Sequence, residues 1–105
     1  MAIKVFWTNF AKKELRKIFD YYKMKASPRI AKNLVQGIVE KGNSLDFQTG
    51  IGQKEELLLD RPQEFRYLVY KSYKIIYYFN EEKNRIEIND VFDVRQYPLK
   101  IQRKK

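Results

Sequence analysis

Apolar residues recur at helical spacing in the first third of the chain, after a short β-branched and aromatic run. The run from Ile3 to Trp7 predicts a first strand. Thr8 can cap a helix that begins immediately after this strand. The apolar positions of that helix lie three or four residues apart: Ala11, Leu15, Ile18, Phe19 and Tyr22. Lysine and arginine occupy most of the other side, so the pattern predicts an amphipathic helix with one buried face.

A second helix is predicted from Ser27 to about Gly42. Serine is a common N-cap and Pro28 suits the first helical position, so the start of this helix has a clear local signal. Its apolar stripe consists of Ile30, Ala31, Leu34, Val35, Ile38 and Val39. Because only a few residues separate the two helices, we expect them to form an antiparallel hairpin.

The rest of the chain predicts a long loop followed by three strands. Glycine and proline interrupt residues 44–63, where we expect mostly loop and a short strand at Leu57–Leu59. The three strands are predicted at Phe65–Tyr70, Tyr73–Asn80 and Arg85–Phe92. Their short connections indicate antiparallel neighbours. The middle strand is apolar on most of both faces, and one of those faces should carry the helices.

This order of elements predicts an α+β fold. An N-terminal strand and an antiparallel helical hairpin would pack on one face of a twisted, mainly antiparallel β-sheet. We expect a single domain over residues 1–98 and a basic tail over residues 99–105. The face without helices would then present Arg66, Lys74 and the residues that follow Val94.

The charge of the chain predicts which class of partner it binds. The 105 residues contain 22 Lys and Arg against 13 Asp and Glu, which gives a net charge of +9. Nine basic and two acidic residues fall within residues 1–33, and five basic and no acidic residues fall within residues 95–105. A balance of this kind predicts an acidic or polyanionic partner.

Cysteine and histidine are both absent from the sequence. Disulfides, thiolate nucleophiles, cysteine-based zinc sites and the usual acid/base of neutral pH are therefore excluded. The sequence predicts no metal site and no cofactor. The first residues contain an apolar run too short for a signal peptide or a membrane span, so we expect a cytoplasmic protein without membrane contact.

Four segments of the chain together resemble the RelE/ParE superfamily of toxins from type II toxin-antitoxin systems, which includes plasmid stabilisation proteins. They are TNFAKKELRKIFDYY, TGIGQKEEL, FRYLVYKSYKIIYYF and VFDVRQYP. The resemblance covers nearly the whole chain and implies a growth-inhibiting toxin. Its implied activity is ribosome-dependent endoribonuclease cleavage of mRNA. The alternatives are a non-catalytic inhibitor of DNA gyrase and a degenerate toxin that only binds its antitoxin.

The resemblance also implies candidate site residues. Cleavage of RNA by its own 2′-hydroxyl needs a proton acceptor, cations around the phosphate and an acid for the leaving oxygen. Arg66, Lys74 and Arg95 are the candidate cations, and Arg95 and Lys74 could lower the pKa of Tyr97 as acid/base. Glu55, at the GxGxxE spacing, is a candidate base.

Each of these candidates also has a structural interpretation. The strand cations are then solvated surface residues, Tyr97 packs the tail on the sheet, and Glu55 is a solvated loop residue. Leu68 occupies a position where the nucleases that the chain resembles favour a lysine, and no histidine supports Tyr97. The expected partners are an acidic cognate antitoxin and the ribosome with its mRNA, or gyrase in place of the ribosome.

Overall fold

The computed structural model describes residues 3–46, 52–96 and 98–102, and the side chains of residues 98 and 99 are left out of the description. The strands are β1 (Lys4–Trp7), β2 (Gln53–Lys54), β3 (Arg66–Tyr70), β4 (Tyr73–Asn80) and β5 (Arg85–Asp93). The helices are α1 (Asn9–Lys25) and α2 (Pro28–Asn43). Short 3-10 turns lie at Ser44–Asp46, Glu56–Leu58 and Pro98–Gln102.

Both helices begin at the predicted caps. The Thr8 hydroxyl accepts a hydrogen bond from the Ala11 backbone N–H at 3.2 Å, and Ser27 does the same for Ile30 at 3.2 Å. Each bond satisfies one of the donors that a helix leaves unpaired in its first turn. The local signals at Thr8 and Ser27 therefore define the hairpin, as predicted.

The five strands form one sheet in the order β1-β5-β4-β3-β2. β1 runs parallel to β5, and the other neighbours are antiparallel. The helical hairpin is the connection that carries the chain away from β1. The predicted α+β fold, with a helical hairpin on a mainly antiparallel sheet, is confirmed.

The sheet has an apolar cluster on each face. The cluster under the helices contains Ala11 and Ile38 from α1 and α2 packed on Ile75, Tyr77 and Ile88 of the sheet. The cluster on the opposite face consists of Leu58, Phe65, Ile76, Phe92 and Ile101. Alternate residues of β4 serve the two clusters, which explains why this strand is apolar on both sides.

The prediction of a strand at Leu57–Leu59 is wrong, because these residues belong to a 3-10 turn and its C-terminal end. The turn buries Leu58 in the second cluster and leaves Leu59 66% exposed. Strand pairing occurs earlier, where the two polar residues of β2 pair with β3. An apolar run of this length is compatible with a strand or with a turn. Here the 3-10 turn is the conformation that buries Leu58.

The C-terminal turn packs on the second face of the sheet. Ile101 is fully buried in the second cluster, although the sequence assigned it to a basic tail. The Gln102 side chain donates to the Leu57 carbonyl at 2.7 Å, and Arg61 donates to the Gln102 carbonyl at 2.9 Å. Within the described residues, neither helix is long and apolar enough to cross a membrane.

Candidate functional site

Arg95 lies just after β5, where its position is fixed by an aspartate two residues earlier. The Arg95 guanidinium donates to both carboxylate oxygens of Asp93, at 2.9 and 2.8 Å, and the Arg95 backbone N–H also donates to Asp93 at 2.9 Å. One guanidinium nitrogen donates further to the Tyr22 hydroxyl of α1 at 3.1 Å. The side chain is 58% exposed. Arg95 therefore joins the end of the last strand to the first helix while remaining open to solvent.

Two tyrosines continue this network into the protein, because Tyr22 is also hydrogen-bonded to Tyr73. The hydrogen bond from Arg95 lowers the pKa of Tyr22, and the bond to Tyr73 acts in the same direction. Burial raises the pKa of Tyr73, and its bond to Tyr22 raises it further. Tyr22 is therefore the more acidic phenol of the pair.

A groove of about 420 Å³ opens beside this network, between α1 and the ends of β4 and β5. Its apolar lining consists of Ile18, Tyr21, Tyr22, Tyr73 and Val91. Arg95 and Asp93 stand at the same groove and give it a charged rim. Aromatic residues and arginine are the residue types that protein interfaces favour at their centres.

A second depression of about 430 Å³ adjoins the first, since Tyr22 and Tyr73 line both. Ile30 and Leu34 of α2 and Tyr70 of β3 form its apolar part. Tyr21, Met24 and Ile30 are 55%, 84% and 52% exposed. Large apolar side chains grouped near such depressions are typical of a surface that a protein partner covers.

Arg66 lies at the start of β3, on the face that carries the helices. It is paired across the strands with Tyr77, which belongs to the cluster under the helices, and directly paired residues project to the same face. The guanidinium donates to the Gly52 carbonyl at 2.8 Å and contacts the Glu64 carboxylate at 3.0 Å. Lys54 and Arg66 together lower the pKa of Glu64. Arg66 therefore holds both the residue before β2 and the loop before β3 against the sheet.

Lys74 and Glu55 form an ion pair on the opposite face. The Lys74 ammonium lies 2.8 Å from the Glu55 carboxylate and 4.3 Å from the centre of the Tyr67 ring. Glu55 is only 2% exposed, so it is a buried partner of Lys74 and not a solvated loop residue. Lys74 is paired across the sheet with Phe92 of the second cluster, which fixes the face on which it projects.

The structure does not bring the predicted cations together. Arg66 and Arg95 project on the helix side, at the start of β3 and after the end of β5, and each contacts its own acidic residue. Lys74 projects on the other side of the sheet. The prediction of one concavity formed by all three, on the face without helices, is therefore wrong. Tyr97 lies outside the described residues.

Sequence reasoning missed Tyr22, Tyr73 and Asp93 as parts of this site. Tyr22 lies in the apolar stripe of α1 and Tyr73 in the mostly apolar β4, so both patterns predict core residues, and Tyr73 is indeed only 3% exposed. Asp93 carried a usable signal, because residues two apart on an extended chain project to the same side and can form an ion pair. Among the described residues, no group of three or more acidic side chains is arranged to hold a metal ion.

The profile of the family described as ParE toxin of type II toxin-antitoxin system, parDE, matches residues 5–97. The chain belongs to the ParE toxin family. No curated protein matches its sequence. Among solved structures, a chain from the chromosomal ParDE TA system of P. aeruginosa matches with a TM-score of 0.74 and 23% sequence identity. The match covers 89% of the ParE-type toxin described here and 97% of that chain, and it supports the fold.

Proposed function

We propose that this ParE-type toxin inhibits growth by binding DNA gyrase and does not cut RNA. The observation that carries this proposal is the placement of Arg95, which stands at the rim of an aromatic groove and is already bound to Asp93 and Tyr22. A groove with this lining suits a protein surface. The exposed half of Arg95 can then bind an acidic or carbonyl group of that protein.

Catalysis has less support from the same residues. A ribonuclease site must hold several cations and a proton acceptor around one phosphate. Arg66 and Lys74 lie on opposite faces of the sheet, and the candidate base Glu55 is engaged by Lys74 at 2.8 Å. The alternative is ribosome-dependent cleavage of mRNA, and an experiment has to distinguish it from gyrase binding. In that alternative the residues that would act together are Arg66, Lys74, Arg95, Tyr97 and Glu55.

A ParE-type toxin has an antitoxin partner, and we propose that this antitoxin is acidic. The toxin carries a net charge of +9, so an acidic chain gains Coulombic energy by covering it. The exposed side chains of Tyr21, Met24 and Ile30 offer apolar contacts to the same partner. An antitoxin that covers the groove would also exclude gyrase from it.

Two assays with the purified toxin separate the proposals. In the first, gyrase supercoils a relaxed plasmid, and in the second, a reconstituted translation reaction contains a labelled message. We expect inhibited gyrase and an intact message. Arg95→Gln should weaken gyrase inhibition by at least tenfold, because a buried charged hydrogen bond contributes about 1.5–3 kcal/mol to binding.

Lys83→Gln is the matched control, since it removes an exposed cation in the β4–β5 turn, away from the groove. It should inhibit gyrase like the unmodified toxin. Cut message and unaffected gyrase would overturn the proposal, and loss of that cleavage in Arg95→Gln, whose fold should be retained because Arg95 is 58% exposed, would place Arg95 in the ribonuclease site. A toxin that is silent in both assays and still binds an acidic partner would be a degenerate member of the family.

A further inference from the structure

Much of the positive charge of the chain lies on the helical hairpin. Residues 9–33 contain eight Lys and Arg residues and two acidic residues, which is a net +6 of the total +9. Among the residues that the structure describes, five exposed cations of α1 form no ion pair: Lys12, Lys13, Arg16, Lys23 and Lys25. Lys25 is the last residue of the helix, and the first four are called the cationic ridge below.

Three of the four ridge residues form a straight row on a helix that is anchored to the core. Lys12, Arg16 and Lys23 follow spacings of four and seven residues, which place them in one row along the helix. At a rise of 1.5 Å per residue, this row is about 16 Å long. α1 is capped by Thr8 and buries Ala11 on its other side, so the helix holds the cations in fixed relative positions.

The composition of this row distinguishes between two kinds of acidic partner. Besides the three cations, the row contains Asn9, Phe19 and Asp20, and all of these residues except the half-buried Phe19 are exposed. Protein interfaces depend on apolar or aromatic anchors at their centres, and the one aromatic residue of this row is already half-buried against the protein. The exposed anchors of this molecule lie instead around Tyr22. A surface that exposes mainly cations suits a partner that is bound almost entirely through its charge.

Duplex DNA is such a partner. It carries one negative charge per about 1.7 Å of its axis, so a row of about 16 Å meets a continuous line of phosphates. Single strands are bound through exposed aromatic side chains on which bases stack, and the one aromatic residue of the row, Phe19, is half-buried. We propose that the cationic ridge binds the phosphate backbone of duplex DNA, without reading its sequence. Gyrase is not needed for this contact.

The test is the salt dependence of DNA binding, measured by fluorescence anisotropy with a labelled duplex of about 20 base pairs and the full chain. Four phosphate contacts predict that affinity falls on the order of 100-fold between 50 and 200 mM salt. The triple variant Lys12→Gln, Arg16→Gln, Lys23→Gln retains only Lys13 of the four ridge residues. Its affinity should be lower at 50 mM and should fall only about fourfold over the same range.

Asp20 gives the converse test, because its carboxylate lies within the row and repels phosphate. Asp20→Asn should bind the duplex more tightly than the unmodified chain. A charge-matched control replaces Lys4, Lys54 and Lys83 by glutamine, which removes three exposed cations outside the hairpin. This control should keep the full salt dependence.

Three results would overturn the proposal. One is an equal loss of affinity in the ridge variant and the charge-matched control, which would mean that net charge alone attracts DNA. Another is an unchanged salt dependence in a ridge variant that circular dichroism shows to be folded. The third is polyglutamate that binds as tightly as the duplex and with the same dependence on the ridge, since that result would assign the ridge to an acidic protein.

Discussion

Four cations on or just after the inner strands of the sheet differ from the four ridge cations of α1 in what they contact. Arg66, Lys74, Arg85 and Arg95 each lie within 3.0 Å of a carboxylate. The four residues of the cationic ridge contact no carboxylate in the described part of the chain. Both groups raise the net charge in the same way, so net charge alone does not distinguish them.

The difference follows from where the side chains project. Arg66, Arg85 and Arg95 each pair with an acidic residue two positions away in the chain, and Lys74 pairs with a glutamate of the loop before β3. Lys4, on the edge strand β1, is exposed and has no ion pair among the described residues. The outer side of a helix on the surface faces only solvent. We infer that the sheet cations stabilise the fold and the groove, whereas the ridge cations are available to a partner.

The largest expected effect comes from removing the cation of the buried pair. Lys74→Met leaves the Glu55 carboxylate, which is 2% exposed, without its partner. An unpaired buried charge should destabilise the toxin by roughly 3 kcal/mol in urea denaturation at pH 7. The double variant Lys74→Met, Glu55→Leu removes both charges and should recover most of this loss. A cost below about 1 kcal/mol for the single variant would show that Lys74 belongs with the unpaired cations.

A smaller effect is expected on the pH dependence of stability. Burial acts to raise the pKa of Glu87, but hydrogen bonds from Arg85, Asn80 and Tyr78 outweigh it and lower that pKa below its usual value. A carboxyl with a lowered pKa stabilises the fold above its unfolded pKa of about 4, and this contribution is lost as the pH falls through the folded pKa. The free energy of unfolding should therefore decrease below about pH 4. Glu87→Gln should flatten this decrease, and identical profiles for both proteins would count against the role of Arg85.

Arg95→Gln should change stability by less than about 1 kcal/mol, because the Arg95 side chain is 58% exposed. The effect of Arg95→Gln on the ionisation of Tyr22 should be easier to detect, by spectroscopy. The hydrogen bond from Arg95 lowers the pKa of Tyr22, so the variant should ionise this phenol at higher pH in an ultraviolet titration. The variant Tyr22→Phe lacks this phenol, so the titration step that it loses is the one that belongs to Tyr22. An unchanged titration would mean that Arg95 does not contact Tyr22 in solution.

The smallest effects are expected on the ridge. Lys12→Gln, Lys13→Gln and Lys23→Gln should each alter the free energy of unfolding by less than about 0.5 kcal/mol, since these exposed side chains have no carboxylate partner in the described residues. Urea denaturation at two salt concentrations checks this. A loss above about 1 kcal/mol would place a ridge cation with the structural cations of the sheet.

Most of the fold could be predicted from local sequence signals, because these signals agree with the observed packing. Thr8, Ser27 and Pro28 mark the helix starts, and the β-branched and aromatic runs mark three strands within one residue of their observed bounds. β2 has only two residues, both polar, so no hydrophobic pattern could indicate it. Its existence depends on pairing with β3, which is a tertiary effect.

The separation of Arg66 from Lys74 could have been predicted. The tight turn at Lys71 and Ser72 sets the strand register, and counting back from it places Arg66 opposite Tyr77 and on the face of that residue. Lys74 then lies on the other face. The ion pair of Lys74 with Glu55 could not have been predicted, because it depends on how the loop before β3 folds over the second cluster.

Differential acylation of lysines, read by mass spectrometry, tests the contrast between the two groups most directly. In the free toxin, Lys12, Lys13 and Lys23 should react quickly, and Lys74 should react slowly because Glu55 and Tyr67 hold its ammonium. Added duplex DNA should protect the three ridge lysines and leave Lys74 unchanged. Equal reactivity of Lys74 and the ridge lysines in the free toxin, or no protection of the ridge by DNA, would contradict this division of the charge.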